Sequence, residues 1–362
     1  MIKFEPKTTI IPDRFFEIPQ KVYPNQPWFW DNETQSAMIF SEFNPYFLFG
    51  KAAFLVVEDK ARIVCFFDER VKHDGKSVAY FGYWETINDL ELNKELFEQC
   101  EQWAKKKQAE LLIGPINFNT YHRYRLSLSS NDNKPFLNEP YNPEYYPQLL
   151  NECGFEVLNS YISYIVEDKN KIESWYKKYN AKKDLMSFDD YRFEFITPKL
   201  WMEKLEEIHQ KSEMIFGENF AYTPIDFATF QIKYGEFFSH ITCPKTSLFV
   251  FDKNNEIVGT FINMPNYLDL VRLGVSLSEF NFEKYTQMVK KPTLLIKTVG
   301  MIKEHAHMGF MLIRMALEII PNGLDFYDNY IFCLMQDDNY PSKLAKEFSN
   351  ETKSYALYAK PL

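Results

Sequence analysis

Leu294-Leu295-Ile296-Lys297-Thr298-Val299-Gly300-Met301-Ile302-Lys303-Glu304-His305-Ala306-His307-Met308-Gly309-Phe310-Met311-Leu312 reads as a strand, a turn and the start of a helix. Thr293 to Met301 has strand character, and from Gly309 to Ile320 the residues Met311, Leu312, Met315, Ala316 and Ile319 recur at helical spacing. On the N-terminal side, Thr246 to Phe251 and Glu256 to Met264 predict a hairpin across the charged turn Asp252-Lys253-Asn254-Asn255. On the C-terminal side, Asn329 to Met335 is strand-like, a short helix opens at Pro341, and Ser354 to Ala359 closes the order.

The first part of the chain carries the same succession. Phe54 to Val57 and Arg62 to Phe67 predict paired strands, with Ser77 to Trp84 as a third. In Leu90 to Lys107 the residues Leu92, Leu96, Cys100, Trp103 and Ala104 fall on one helix face. A short strand at Leu111-Leu112-Ile113, a long polar loop from Asn117 to Asn142, a helix over Tyr145 to Cys153 stopped by Gly154, and a strand over Phe155 to Val166 follow. Two local matches tie the halves together: Asp59-Lys60-Ala61-Arg62-Ile63-Val64 with Asp252 to Val258, and Tyr146-Pro147-Gln148-Leu149-Leu150 with Tyr340-Pro341-Ser342-Lys343-Leu344. Their nearly equal displacement predicts two copies of one domain, over 1–166 and 191–362. Residues 167–190 form a charged linker whose Trp175-Tyr176-Lys177-Lys178 suits a helix, and the second copy opens with a strand over Arg192 to Ile196 and a helix capped by Thr197-Pro198, with Trp201, Leu205, Ile208, Ser212 and Ile215 inward. The fold class expected is α/β (α+β), each half a mixed, mostly antiparallel sheet flanked by helices.

Composition narrows the function classes. The 362 residues include 34 Phe, 23 Tyr and 6 Trp against 12 Gly, enough apolar material for one large core or two ordinary ones, which excludes disorder and low complexity. A net charge of −9 opposes an extended nucleic-acid footprint and makes DNA a poor partner. The five cysteines are widely spaced, so no metal knuckle or redox pair is expected, and no apolar run suits a leader or a membrane span. The expectation is a cytoplasmic protein with reduced thiols and no metal. Gly-x-Ser-x-Gly, phosphate-loop and dinucleotide signatures are missing from the sequence, so hydrolase, kinase and dehydrogenase readings lack support.

With these residues in view, the second half resembles the GNAT acyltransferase superfamily, and the whole chain resembles bacterial tandem two-domain GNAT-like proteins. The resemblance rests on the 294–312 stretch, on Glu256-Ile257-Val258-Gly259-Thr260-Phe261 after its hairpin, on Asn339-Tyr340-Pro341-Ser342-Lys343-Leu344-Ala345 and on Ser354-Tyr355-Ala356-Leu357-Tyr358. Phe43-Asn44-Pro45-Tyr46-Phe47, Gly114-Pro115-Ile116-Asn117 and Tyr141-Asn142-Pro143-Glu144-Tyr145-Tyr146 carry it in the first half. The superfamily's pyrophosphate turn, Gln or Arg, two residues, Gly, one residue, Gly or Ala, is represented by Ala306, Gly309 and Met311, so only the first glycine is kept.

The resemblance implies acyl transfer, with acetyl-CoA or another acyl-CoA as co-substrate and an amine of a small molecule or amino-acid-like compound as acceptor. Backbone groups of Thr298, Val299, Gly300 and Met301 would face the thioester, and free amides at the helix start would take the diphosphate over His307, Met308, Gly309, Phe310 and Met311, with Asn339 nearby. Glu304 and His305 are candidate bases, and Tyr340 a candidate donor to the leaving thiolate. Solvated or packing roles compete for each. His305 and His307 lack further ligands at metal spacing, and Trp28-Phe29-Trp30 is a candidate staple of the N-terminal arm. The corresponding turn of the first half, Glu85-Thr86-Ile87-Asn88-Asp89-Leu90, is acidic and free of glycine, so that copy is expected to shape the substrate cleft. Two rival readings remain: a catalytically silent binding protein of the same fold, and a Fem-type transferase using charged tRNA, which would need a basic groove near Lys177, Lys178, Lys182 and Lys183.

Overall fold

The computed structural model describes residues 2–4, 11, 13–23, 40, 41, 44–129, 135–183, 188–337 and 339–362. Trp28-Phe29-Trp30, Phe43 and Asp338 lie outside the described residues.

Strand β1 (Ile2–Phe4) and helix α1 (Asp13–Val22) precede a meander of β2 (Lys51–Val57), β3 (Ala61–His73) and β4 (Lys76–Thr86). Helix α2 (Leu90–Lys106) starts where the Asp89 carboxylate accepts the Leu92 amide at 3.1 Å, and its Leu96, Phe97, Cys100, Trp103 and Ala104 stripe is buried. β5 (Leu111–Gly114), β6 (Leu126–Ser127), α3 (Tyr146–Glu152) and β7 (Glu156–Val166) complete the first half. The charged connector contains helix α4 (Lys169–Asn180), anchored by buried Ile172 and Trp175.

The second half runs β8 (Arg192–Phe195), α5 (Pro198–Phe216), α6 (Phe227–Tyr234), α7 (Glu236–Ile241), β9 (Leu248–Phe251) and β10 (Ile257–Pro265). It continues with α8 (Leu268–Arg272), α9 (Phe282–Met288), β11 (Thr293–Met301), α10 (Phe310–Phe326), β12 (Asn329–Gln336), α11 (Tyr340–Lys346) and β13 (Glu351–Pro361). Helix α10 runs beyond Ile320 and through Pro321. Tertiary packing overrides the local stop signal, for Gly323 is buried against the Tyr330 ring.

The described strands join one sheet in the order β1-β2-β3-β4-β5-β13-β7-β12-β11-β10-β9-β8, with β6 beside β13. The pairs β4/β5 and β11/β12 are parallel and the others antiparallel, so the molecule is the mixed, mostly antiparallel sheet flanked by helices that the sequence led us to expect. Each half's closing strand lies against the other half: β13 pairs with β5, and β7 with β12. The two closing strands also pair with each other from Glu351↔Ile165 to Ala359↔Glu156. Helices cover both faces, and one large core of the second half reaches across to Phe136, Leu137, Ile165 and Val166 of the first.

Candidate functional site

Strands β11 and β12 run together for only four registers, Thr293↔Asn329 to Ile296↔Phe332. Both then break step at the same level. On β11, Ile296 pairs with Asn263 and Thr298 with Ile262, so Lys297 is the extra residue of a bulge. On β12, pairing with β7 shifts between Phe332 and Met335, Leu334 takes a φ of 53°, and its amide donates to Ser163 Oγ at 2.9 Å. The parallel strands therefore part at Lys297 and Cys333, where a cavity of about 810 Å³ opens.

Both halves build this cavity. The first contributes the 120–125 segment and Tyr161, and the second contributes β10 to β12 with one face each of α5, α6 and α10. Phe230, Phe249, Phe261, Ile296, Leu312 and Phe332 give it an apolar body. Its charged wall residues are Arg123, Arg125, Lys211, Lys233 and Lys297. Among the described residues no aspartate or glutamate lines it.

Lys297 is only partly exposed, and its ammonium lies 5.9 Å from the Phe136 ring centre. Burial, aided by repulsion from Arg125, pulls its pKa below the ordinary lysine value, while Cys333 and Glu139 act in the opposite direction. Glu139 is already engaged: it accepts from Tyr355 OH at 2.6 Å, the Phe136 amide at 3.1 Å and Lys353 Nζ at 3.2 Å. Arg125 sits at a φ of 82°, with its guanidinium carbon 3.9 Å from the Tyr124 ring centre and 4.0 Å from that of Tyr161. It donates to the Tyr124 hydroxyl, while its Nε is buried without a partner. Burial pushes the Cys333 thiol up to about 12, which keeps it protonated and unsuited as a nucleophile near neutral pH.

Of the residues singled out from sequence, Thr298, Val299 and Asn339 lie on the cavity wall. Gly300 and Met301 continue β11 against Thr260 and Gly259. A β-carbon on Gly300 would meet Ile215 Cγ2 at 2.3 Å and Phe216 Cε1 at 2.6 Å, which accounts for a glycine there. Glu304 and His305 form a tight turn past the end of β11, followed by a second turn over His307, Met308 and Gly309. The Tyr191 hydroxyl bonds His305 Nδ1 at 3.0 Å and His307 Nε2 at 2.8 Å. Gly309 has a φ of 89° and its amide donates to Ala306 O at 3.0 Å, while the Phe310 amide donates to His307 O. Phe310 is exposed and Met311 buried in the core. Among the described residues from Gly300 to Met311, none is on the cavity wall. Tyr340 opens α11 immediately after Asn339, whose side chain accepts the Ser342 amide at 2.9 Å.

Sequence reasoning missed Lys297 and Arg125. The signals were a lone charge inside the apolar strand 294–299 and the alternation of rings and cations in Tyr121-His122-Arg123-Tyr124-Arg125. The basic groove of the tRNA reading is reduced by ion pairs of Lys177 with Glu173 at 2.6 Å and Lys183 with Glu318 at 3.0 Å. Among the described residues no group of three His, Cys, Asp or Glu could hold a metal ion, and no helix is long and apolar enough to cross a membrane.

The parallel pair β11 and β12 splays at a bulge, with α10 on their connection and α11 after β12, an arrangement in keeping with the GNAT-like fold that the sequence resembles. No family model matches the chain, and no curated protein matches it. Among solved structures it is similar to a GCN5-related N-acetyltransferase from Sphaerobacter thermophilus, at 12% identity with 97% of each chain covered and a TM-score of 0.48. It is also similar to a conserved protein of unknown function, a probable N-acyltransferase, from Enterococcus faecalis V583, at 10% identity over 100% of this chain and 73% of that one, with a TM-score of 0.49. A third similar structure is FemX, at 10% identity over 87% of this chain and 88% of the other, with a TM-score of 0.32. At these identities the likeness concerns the fold alone.

Proposed function

We propose that this protein is an acyltransferase that moves an acyl group, acetyl in the simplest case, from acyl-CoA to the amine of a small molecule. The observation that carries this reading is the splay of β11 from β12 at the Lys297 bulge, opening onto a cavity built by both halves. A bulge leaves backbone groups out of the ladder, and at a strand parting these can face a thioester carbonyl. Thr298 and Val299 flank it, Asn339 lines the cavity from the N-cap of α11, and the CoA diphosphate runs outside the cavity over His307 to Met311. The amine nitrogen attacks the thioester carbon and gives up a proton to solvent, the C–S bond breaks, and the thiolate takes a proton for which Tyr340, at the start of α11, is the candidate donor, the phenol then regaining its proton from solvent. A wall that, among the described residues, holds cations and no carboxylate disfavours an ammonium ion, so an acceptor entering it sheds its proton to solvent and becomes nucleophilic. Glu304 and His305 stand off this wall, and their part in the reading is limited to the surface turn that receives the CoA.

One observation favours a second reading, a silent binding protein: the amides of Gly309 and Phe310 already bond to the preceding turn, which leaves fewer donors for a diphosphate. Isothermal titration of the purified protein with acetyl-CoA and a longer acyl-CoA, beside a folded Gly309→Trp variant, separates the two. Binding by the wild type and its loss in the variant support the transferase. Absence of binding to either thioester overturns it.

A further inference from the structure

The chain carries nine more negative than positive charges, yet the described wall of its large cavity holds five cationic side chains and no acid. Three of the five have other engagements. Lys211 pairs with Glu256 at 2.8 Å, Lys233 reaches His122 Nδ1 at 3.4 Å, and Arg123 interacts with groups around it. Arg125 and Lys297 differ. Neither has a carboxylate partner among the described residues, and Lys297 makes no hydrogen bond there. Glu139, the acid that acts on Lys297, already accepts from Lys353, Tyr355 and the Phe136 amide.

Two like charges that repel in a partly desolvated space are a net cost to the fold unless something else holds them together. The rings of Tyr124 and Tyr161 lie against the guanidinium of Arg125, which also hydrogen-bonds their hydroxyls; those two contacts use part of its fork of five donors, and the rest remain for a planar carboxylate.

We propose that Arg125 and Lys297 form a carboxylate site, and that the acceptor is an anionic amine whose carboxylate they hold beside the β11–β12 splay. This rests on the acyltransferase reading and names its acceptor class. Bound between them, the carboxylate neutralises the repulsion, keeps Lys297 as an ammonium and orients the amine towards the thioester. The loop of the first half thereby acquires a function: it carries the arginine that selects the substrate of a reaction centred on the second half.

The test uses the full chain and two probes, succinate and its uncharged diamide, at matched ionic strength. At about 20 mM, succinate should raise the wild-type melting temperature by on the order of 1 °C or more, as a ligand that binds the native state alone must. Succinamide should leave it unchanged, and Arg125→Leu and Lys297→Met should each remove the succinate effect. Arg125→Lys and far-UV circular dichroism guard against misfolding, since the lysine keeps the charge and loses the fork. Equal responses to both probes, or a succinate response kept in both variants, overturn the site. Acetyl-CoA and succinyl-CoA should bind alike. A succinyl-CoA preference of about tenfold that Arg125→Leu removes, worth about 1.4 kcal/mol, assigns the carboxylate to the acyl group and overturns the acceptor assignment. Loss of thioester binding with the succinate response intact overturns the transferase reading alone.

Discussion

Lys353 Nζ stands 3.2 Å from the Glu139 carboxylate, with neither side chain more than 8% exposed, where β13 crosses into the first half. The pair sits behind Phe136, on whose ring the ammoniums of both Lys353 and Lys297 bear at about 6 Å. Burial raises the Glu139 pKa, opposed by Lys353 and Tyr355. Removing one partner of such a pair strands a charge. Lys353→Met should therefore destabilise the protein by about 3–5 kcal/mol, and a Glu139→Leu/Lys353→Met double variant should cost clearly less. Urea unfolding of the three proteins measures both.

Lys297 gives a pH signature of opposite sense to that of a paired lysine. Its pKa is lower folded than unfolded, so between those two values the unfolded chain binds more protons and stability rises with pH. The penalty is fully present below the folded pKa and gone above the unfolded value near 10.4. Lys297→Met should thus be more stable than wild type at neutral pH, and its advantage should shrink as pH climbs towards 10. Denaturation midpoints at a series of pH values check the trend.

Gly300 is a point of close approach between β11 and α5. A side chain there collides with the side chains of Ile215 and Phe216 of α5 at 2.3 and 2.6 Å, so these must repack or β11 must shift from the helix. Gly300→Val should cost about 1–3 kcal/mol and weaken thioester binding, because the shifted strand is the one carrying the Lys297 bulge. Gly75→Ala, at a turn where nothing lies within 4 Å of a new β-carbon, is the control: it should leave thioester binding unchanged.

The exchanged closing strands make a further prediction. Residues 191–362 expressed alone would leave β12 without β7, and β13 without β5 and β7, exposing apolar strand edges. That fragment should aggregate, and co-expression with 1–190 should restore a soluble, monodisperse complex measurable by size-exclusion chromatography.

The hairpins, the amphipathic face of α2, the Thr197-Pro198 start of α5 and all of β11 were legible because each follows a local rule of period or capping. The equal displacement of the two sequence matches has a less direct origin. β4 and β11 begin 217 residues apart, Lys76 against Thr293, and β5 and β12 begin 218 apart, Leu111 against Asn329. The offset returns to 194 at α3 and α11, Tyr146 against Tyr340. Helices α8 and α9 lengthen the second half between its hairpin and β11, and the long loop after β5 lengthens the first by a similar amount. That same loop brings Arg125 to the cavity, a non-local event without a periodic signal. Strand exchange was equally hidden: whether β13 lies beside its own half or the other changes no residue's local preference. Lys297 was visible as a charge in an apolar strand. Its meaning depends on a bulge and on a second cation 172 positions earlier in the chain, Arg125, which only the folded molecule sets opposite it.

The most direct measurement is thiol release from acetyl-CoA by the purified protein, followed with a thiol reagent against a panel of amines matched in size and differing in charge. Amines that bear a carboxylate should turn over, their amides weakly or not at all, and Arg125→Leu should lower kcat/KM by about 10²-fold or more. Acetyl-CoA that binds but is never consumed, whatever amine is supplied, would contradict it.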